Sequence, residues 1–365
     1  MLCLQQKKLA YANSWRGTRM KIRTKRILIL LCFIVTLGAC TAEENKTQND
    51  NENGTIYSAD IFAMDTYMTL SAYGEKAETA VSAAVEEVNR LDTLLSVSSE
   101  KGDIYYINQN GGGQVSEETA ELIIKAKKAF TETDGAFDCT IAPVMEAWGF
   151  RSGNFCIPEA EELSELLQKV DSSKILIEGT EVLLPDGVSI DLGGIAKGYT
   201  SHQIMEIYRE NGITSGIVSL GGNVETLGTK PDGSLWRIAL QDPENTEEYF
   251  AVLEVADRAI ITSGGYQRNF IQDGEVYHHI IDPVTGFPAQ NGLISVTIVS
   301  KDGTLADVLS TSLFVMGTEK AVNFWRQHKD EFDAVMMTED RRVLVTEGIM
   351  GVFTPLTNDS VEVLS

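Results

Sequence analysis

Apolar and polar residues alternate along MDTYMTLS, residues 64–71, a period of two that predicts a strand. The period then lengthens. Ala80, Ala84, Val88, Leu91 and Leu95 fall on one stripe and predict an amphipathic helix over 75–95. Segments 117–133 and 159–170 repeat the helical spacing. An apolar run at 174–178 leads to SIDLGGIAKGY, residues 189–199; after it Ile204, Ile207 and Tyr208 keep helical spacing until Asn211 and Gly212 close the helix. The chain then reads as strands over 216–220, 236–241, 250–255, 259–262, 276–281 and 294–299. A last helix over 305–316 precedes an apolar segment at 332–337 and closing strands. Helices and strands without regular β–α alternation predict an α+β fold. No repeat and no second linker interrupts the pattern, so the expected body is one compact domain over 59–365.

The N-terminus departs from this pattern. Basic Lys21, Arg23, Lys25 and Arg26 precede the apolar run 27–37, which is too short to span a bilayer, and LGAC follows at 37–40. A signal peptide over 1–39 is predicted. Residues 1–19 read as a start-site overrun, because Met20 stands directly before the basic run. LGAC resembles the lipobox of bacterial lipoproteins, in which Cys40 becomes the lipidated N-terminal residue. An ordinary secretory signal with an incidental cysteine is the competing reading. Residues 41–54 are polar and without apolar period, so 40–58 is expected to be the lipidated cysteine and a flexible tether. The expected location is the extracytoplasmic face of the cell membrane, held by lipid.

Composition narrows the partners. A hydrophobic share of 43 % supports a sizeable core. The net charge is -23, yet the first 39 residues hold eight Lys or Arg and no Asp or Glu, which leaves the remainder at -31. Such a surface repels nucleic-acid phosphate and anionic headgroups, and any anionic ligand needs a local source of positive charge. Of the five cysteines, Cys3 and Cys32 leave with the signal and Cys40 carries lipid. Cys139 and Cys156 read as buried thiols, with pairing left open. No Cys/His spacing predicts a zinc site.

The candidate chemistry sits in loops and at one helix. DLGGIAKG, residues 191–198, reads as a strand-to-helix turn whose exposed N–H groups attract an anion, with Lys197 adding charge. Walker A spacing is absent, and a tight turn with a surface ion pair explains the same residues. Asp307, Ser310 and Thr311 recur at i, i+3 and i+4 on one helix face, opposite Val308, Leu309, Ser312 and Leu313. They are hard oxygen donors suited to Mg²⁺. Alternatively, Asp307 complements the helix dipole and Thr311 bonds back to the helix. His278 and His279 are neighbours on a predicted strand and so point to opposite faces, before a type I turn that begins at Asp282. His328, on a charged helix, reads as a solvated surface residue. TSGGY at 262–266 and GAFDCT at 135–140 are further small-residue loops with hydroxyl or carboxylate groups.

These motifs combine. MDTYM at 64–68, GAFD at 135–138 with WGF at 148–150, residues 191–199, GGN at 221–223, TSG at 262–264, HIIDP at 279–283 and the segment from Ala306 and Asp307 to Gly317 follow one another in the order and spacing of one family. From about residue 61 to the C-terminus the chain resembles the ApbE family, the FAD:protein FMN transferases. The resemblance implies a single ApbE-like, T-fold-related domain that binds FAD as substrate and uses Mg²⁺, with Mn²⁺ the alternative. It implies FMN transfer to a Thr or Ser hydroxyl of an extracytoplasmic acceptor, typically an electron-transfer flavoprotein subunit, with release of AMP. By position, Met64, Ala136, Phe137, Asp138, Asp191, Lys197 and His279 match FAD contacts. The Gly194 carbonyl, Asp307 and Thr311 match metal ligands, with Ser310 adjacent. His279 and Asp307 are the implied catalytic pair. FAD pyrophosphatase activity with water as nucleophile, or an FAD-binding lipoprotein without catalysis, are the alternatives. Three positions depart from the family: Ser96, Val97 and Ser98 replace a stretch that usually holds an aromatic, His202 stands where Asp is common, and Gly265 replaces a polar residue.

Overall fold

The computed structural model describes residues 45–51 and 54–365, with side chains from Thr55 onward. The predicted signal peptide and Cys40 lie outside the described residues. A ten-stranded sheet forms the spine, in the order Asn45–Asn51, Gly54–Ala63, Thr66–Tyr73, Gly216–Leu220, Asn223–Leu227, Ala259–Gly264, Leu293–Ser300, Asp333–Thr338, Arg342–Thr346 and Ser360–Leu364. Neighbours run antiparallel except the last pair, which is parallel. One face is covered by the helices Ala77–Leu94, Ala196–Glu210 and Gly303–Gln327, through cores built on Leu70, Val88, Tyr208 and Val218 and on Ile261, Ile298, Leu313 and Trp325. On the opposite face, Ile217, Val224, Ile260 and Val299 pack against a small sheet of Trp236–Gln241, Tyr249–Val255 and Phe353–Pro355. This is the mixed α+β single domain that the pattern predicts.

A further core joins the helices Asp103–Asn110 and Glu117–Glu132 to the three short strands Gly112–Gln114, Leu176–Glu178 and Glu181–Leu183. It also takes in Phe137, Leu192, Ile195 and Tyr199, so the loops of interest rest on it.

Several expectations need correction. Residues 64 and 65 are not strand: Met64 (φ 48°) and Asp65 (φ 59°) are the two left-handed residues of a tight hairpin turn between Gly54–Ala63 and Thr66–Tyr73. The first of those strands begins inside the stretch 40–58 expected to be tether, and Asn45–Asn51 pairs with it. Its alternate residues Tyr57, Ala59 and Ala63 are buried with Ser58 and Asp60 between them, but the exposed Phe62 breaks the alternation of apolar and polar positions. The strand expected over 276–281 ends at His278, in a hairpin with Asn269–Gln272. At Asp282 the turn is one residue wider than type I, since the Gly286 N–H reaches the Asp282 carbonyl at 2.8 Å. The last helix does not end at 316. It breaks at Gly317 (φ 76°), where a Cβ would stand 2.5 Å from the Asn291 carbonyl oxygen, and resumes to Gln327. His328 is half-buried rather than solvated, stacked 4.2 Å from Phe324. Cys139 is a buried free thiol, while Cys156 is half-buried with its Sγ 3.3 Å from the Ala147 carbonyl.

Candidate active site

The approach to the glycine turn is extended backbone rather than strand. It is held by Asn108, whose side chain accepts from the Ile190 N–H at 2.7 Å and donates to the Ile190 carbonyl at 2.8 Å. The Asp191 N–H then donates to the Cys139 carbonyl at 2.8 Å, which fastens the turn to the loop carrying Ala136, Phe137 and Asp138. That loop leaves its helix through Asp134 (φ 51°) and Gly135 (φ 79°), with the Gly135 N–H bonded back to the Phe130 carbonyl at 2.9 Å. Phe137 is buried, and its ring fills the space beside Gly194, where a Cβ would come within 3.0 Å of it. Asp138 faces inward. Its carboxylate accepts from the Thr140 N–H at 2.8 Å, the Thr140 hydroxyl at 2.6 Å and the N–H and hydroxyl of Ser172.

Asp191 Oδ1 accepts the Gly193 N–H at 2.8 Å, and Oδ2 lies 3.9 Å from Arg151 Nε, so the turn and its ion pair coexist. Lys197 Nζ lies 3.5 Å from the Gly193 carbonyl, in the first turn of Ala196–Glu210. Met64 reaches the same helix from the hairpin: its N–H is held by Asp92 at 2.9 Å, and its Sδ is 3.8 Å from the Thr200 hydroxyl.

Asp307 lies where two helices and a strand meet. It is 4 % exposed; Oδ2 accepts the Gly198 N–H at 2.8 Å and Oδ1 accepts from Asn223 Nδ2 at 3.0 Å. The dipole alternative fails, because Asp302 caps this helix, accepting from the N–H groups of Thr304 at 2.8 Å and Leu305 at 3.1 Å. Nor is the helix two-faced, for Val308, Leu309, Ser310, Ser312 and Leu313 are all buried. The Ser310 hydroxyl lies 2.9 Å from the Asp307 carbonyl and 2.8 Å from Ser263 Oγ, and Thr311 Oγ1 lies 3.3 Å from the same Ser263 oxygen. One carboxylate with a few hydroxyls is a sparse, hard donor set. No group of three or more His, Cys, Asp or Glu that could hold a metal occurs among the described residues. That composition fits Mg²⁺, which keeps waters and is completed by substrate phosphates, better than an ion needing an all-protein cage.

The two adjacent histidines diverge, although only His278 lies in the strand. His278 is buried, with Nε2 3.0 Å from the Ala289 carbonyl and Nδ1 accepting the Ile280 N–H. His279 turns the other way. Its Nδ1 lies 3.1 Å from the Arg268 carbonyl, and its ring centroid is 6.4 Å from that of Phe150. Desolvation, with the charges of Lys197 and Arg268 adding to it, pushes the imidazole down to about 3, so the ring is neutral near pH 7. In that state Nδ1–H donates to the carbonyl and Nε2 is left as an acceptor. The Arg268 guanidinium itself donates to the Phe150 carbonyl. Lys197, Arg151 and Arg268 thus supply the local positive charge that an acidic protein needs for an anionic ligand.

The spacing of motifs left four participants without a role: Gly198, Asn223, Ser263 and Arg268. Gly198, Asn223 and Ser263 lie inside the motifs DLGGIAKG, GGN and TSG, which is the signal that could have found them; the close approach of Gly198 to the Gly303 carbonyl appears only in the fold. The fold and the site together define a class, a mixed α+β protein with a glycine-rich turn flanked by Lys197 and Arg151 beside a buried oxygen-donor site. The ApbE family model matches residues 64–336, and the chain belongs to that family. Among its relatives, the FAD:protein FMN transferase of Klebsiella pneumoniae is 31 % identical over 308 residues, covering 82 % of this chain and 95 % of its own. The enzyme of the same name from Treponema pallidum is 30 % identical over 349 residues, covering 89 % and 94 %. The crystal structure of the ApbE protein of Thermotoga maritima superposes with a TM-score of 0.76 at 34 % identity, covering 80 % of this chain and 97 % of that one.

Proposed function

We propose that this chain is an FAD:protein FMN transferase that moves FMN from FAD to a Ser or Thr hydroxyl of an acceptor protein and releases AMP. The observation that carries the reading is the Asp307 carboxylate held by Gly198 and Asn223 next to the Asp191–Lys197 turn. The bond formed joins the acceptor oxygen to the FMN phosphorus, and the bond broken is the anhydride to AMP. His279 Nε2 accepts the hydroxyl proton; the diphosphate's negative charge raises its proton affinity once the substrate is bound. Lys197, Arg151 and Arg268 balance the diphosphate, while Phe137, Ala136 and Met64 offer apolar contact to the ring ends. Asp307 and Thr311, with the Gly194 carbonyl, would hold Mg²⁺, which supplies Lewis-acid neutralisation of the leaving phosphate.

The lipobox reading of Cys40 supports a lipid-anchored protein on the extracytoplasmic side, where the acceptor would be an electron-transfer subunit. The test is incubation with FAD, Mg²⁺ and candidate surface proteins, followed by mass spectrometry for an FMN adduct and by AMP assay. AMP and FMN without an adduct on any acceptor would establish hydrolysis instead.

A further inference from the structure

One layer behind the Gly198–Asp307 contact lies a second buried carboxylate. Glu225, on the same strand as Asn223, is 3 % exposed. Its Oε2 accepts from the Ser201 hydroxyl at 2.7 Å, and its Oε1 lies 3.4 Å from His202 Nδ1. The carboxylate also abuts the start of the long helix: a Cβ on Gly303 would stand 2.5 Å from Oε2, 2.8 Å from the Gly198 carbonyl oxygen and 2.9 Å from Ser201 Oγ. The two helices and the strand that together present Asp307 therefore converge again on Glu225. A buried carboxylate is costly unless it is paired and hydrogen-bonded, and losing one partner strands the charge.

We propose that Glu225, held by His202, is a positioning residue that locks the helix Ala196–Glu210 onto the N-terminus of Gly303–Gln327 and so fixes Asp307 against Gly198 and Asn223. The inference rests on Asp307 being the metal carboxylate. The groups facing His202 are Glu225 from the strand, Asp302 from the helix cap and Glu206 on its own helix, all acidic. Chiefly through Glu225, they raise the imidazole above its ordinary value despite burial. A raised value means that the pairing is fully present below about pH 6.5 and is lost as pH rises through the folded-state value. Above it Glu225 keeps only Ser201, and the hold on Asp307 loosens.

The experiment measures AMP release from FAD against Mg²⁺ concentration, between about pH 6 and pH 9, for the full chain and three variants. In the parent, the half-saturating Mg²⁺ concentration should rise several-fold across the alkaline limb. Glu225→Gln keeps the shape and the Ser201 hydrogen bond but lacks the charge. It should need several-fold more Mg²⁺ at the acid end, with little further rise and near-parent turnover at saturation. His202→Lys carries a charge that persists at the alkaline end and should flatten the rise while keeping the low requirement, a rescue that a purely structural role would not give. An unchanged Mg²⁺ profile in Glu225→Gln, or an alkaline rise that survives in His202→Lys, overturns the proposal. Should Glu225→Gln not fold, the His202→Lys profile decides alone. Asp307→Ala separates the failures: if it keeps turnover, the metal reading itself falls, whereas an inactive Asp307→Ala beside an unaltered Glu225→Gln sinks only the positioning role.

Discussion

The backbone N–H of Gly198 donates to Oδ2 of Asp307 at 2.8 Å, joining two helices that lie 109 residues apart in sequence. The contact needs a bare Cα. A Cβ at position 198 would stand 2.2 Å from the Gly303 carbonyl oxygen and 2.5 Å from Asp307 Cβ. Gly198→Ala should therefore push the helices apart, costing about 1–3 kcal/mol of stability and most of the AMP release. Urea unfolding and an AMP assay read both. A variant as stable and active as the parent would show that this approach is not tight.

Asp307 and Thr311 are expected to differ in weight. Asp307→Ala removes the one carboxylate of the oxygen-donor set, and the rate should fall on the order of a thousandfold or more. FAD should still bind in part through the loops around Phe137 and Asp191. Thr311→Ala should cost less, because water can replace a neutral hydroxyl. Turnover against Mg²⁺ concentration separates the two; near-parent activity in Asp307→Ala would remove the metal assignment.

His279 should leave no acid limb near the ordinary imidazole value in the pH profile of kcat/KM. Its folded-state value is pushed down to about 3, so the free enzyme holds it neutral through mild acid. A depressed value also means that its contribution to stability is present above about 6.5 and is lost as pH falls from there toward the folded-state value. His279→Gln, which keeps a hydrogen-bonding side chain but cannot take the proton, should lower kcat with little change in FAD affinity. An acid limb centred near the ordinary value and absent from this variant would contradict the neutral-ring assignment.

Arg341 makes a stability prediction away from the site. Its guanidinium meets Asp242 at 2.7 Å, Glu244 at 2.7 Å and Asp359 at 2.8 Å, tying the C-terminal segment to the small sheet. The guanidinium holds the Asp242 and Asp359 carboxyls below their usual range. That stabilisation is present above about pH 3.9 and lost as pH falls through the lowered values. Arg341→Ala strands the buried Asp242, and since the Arg is partly exposed the loss should be about 1–3 kcal/mol. Urea unfolding at neutral and acid pH checks it: the gap between parent and variant should narrow as the carboxyls protonate.

Cys40 gives the test of location. Cys40→Ser should leave the precursor uncleaved or release the protein from the membrane fraction. An unchanged mature mass and unchanged partition would exclude lipidation at this cysteine.

Local order was largely legible from the residues. The stripe Ala80, Ala84, Val88 and Leu91 predicts a helix because a 3.6-residue period is written in adjacent side chains, and Ala77–Leu94 is that helix. His278 and His279 do diverge, but only His278 lies in the strand, so the direction of His279 is set by the bend that follows it. The family was legible too, since its motifs are short, local and ordered. Tertiary structure decided what those residues face. No period distinguishes Asp302, which caps the long helix, from Asp307, which is buried five residues later against a glycine of another helix. Nor does any spacing pair His202 with Glu225 or turn Asp138 inward onto Thr140 and Ser172. The contacts of Asp307 with Gly198, of His202 with Glu225 and of Asp138 with Ser172 join segments tens of residues apart, and their energies depend on burial and close approach, which the sequence specifies only through the whole packed core.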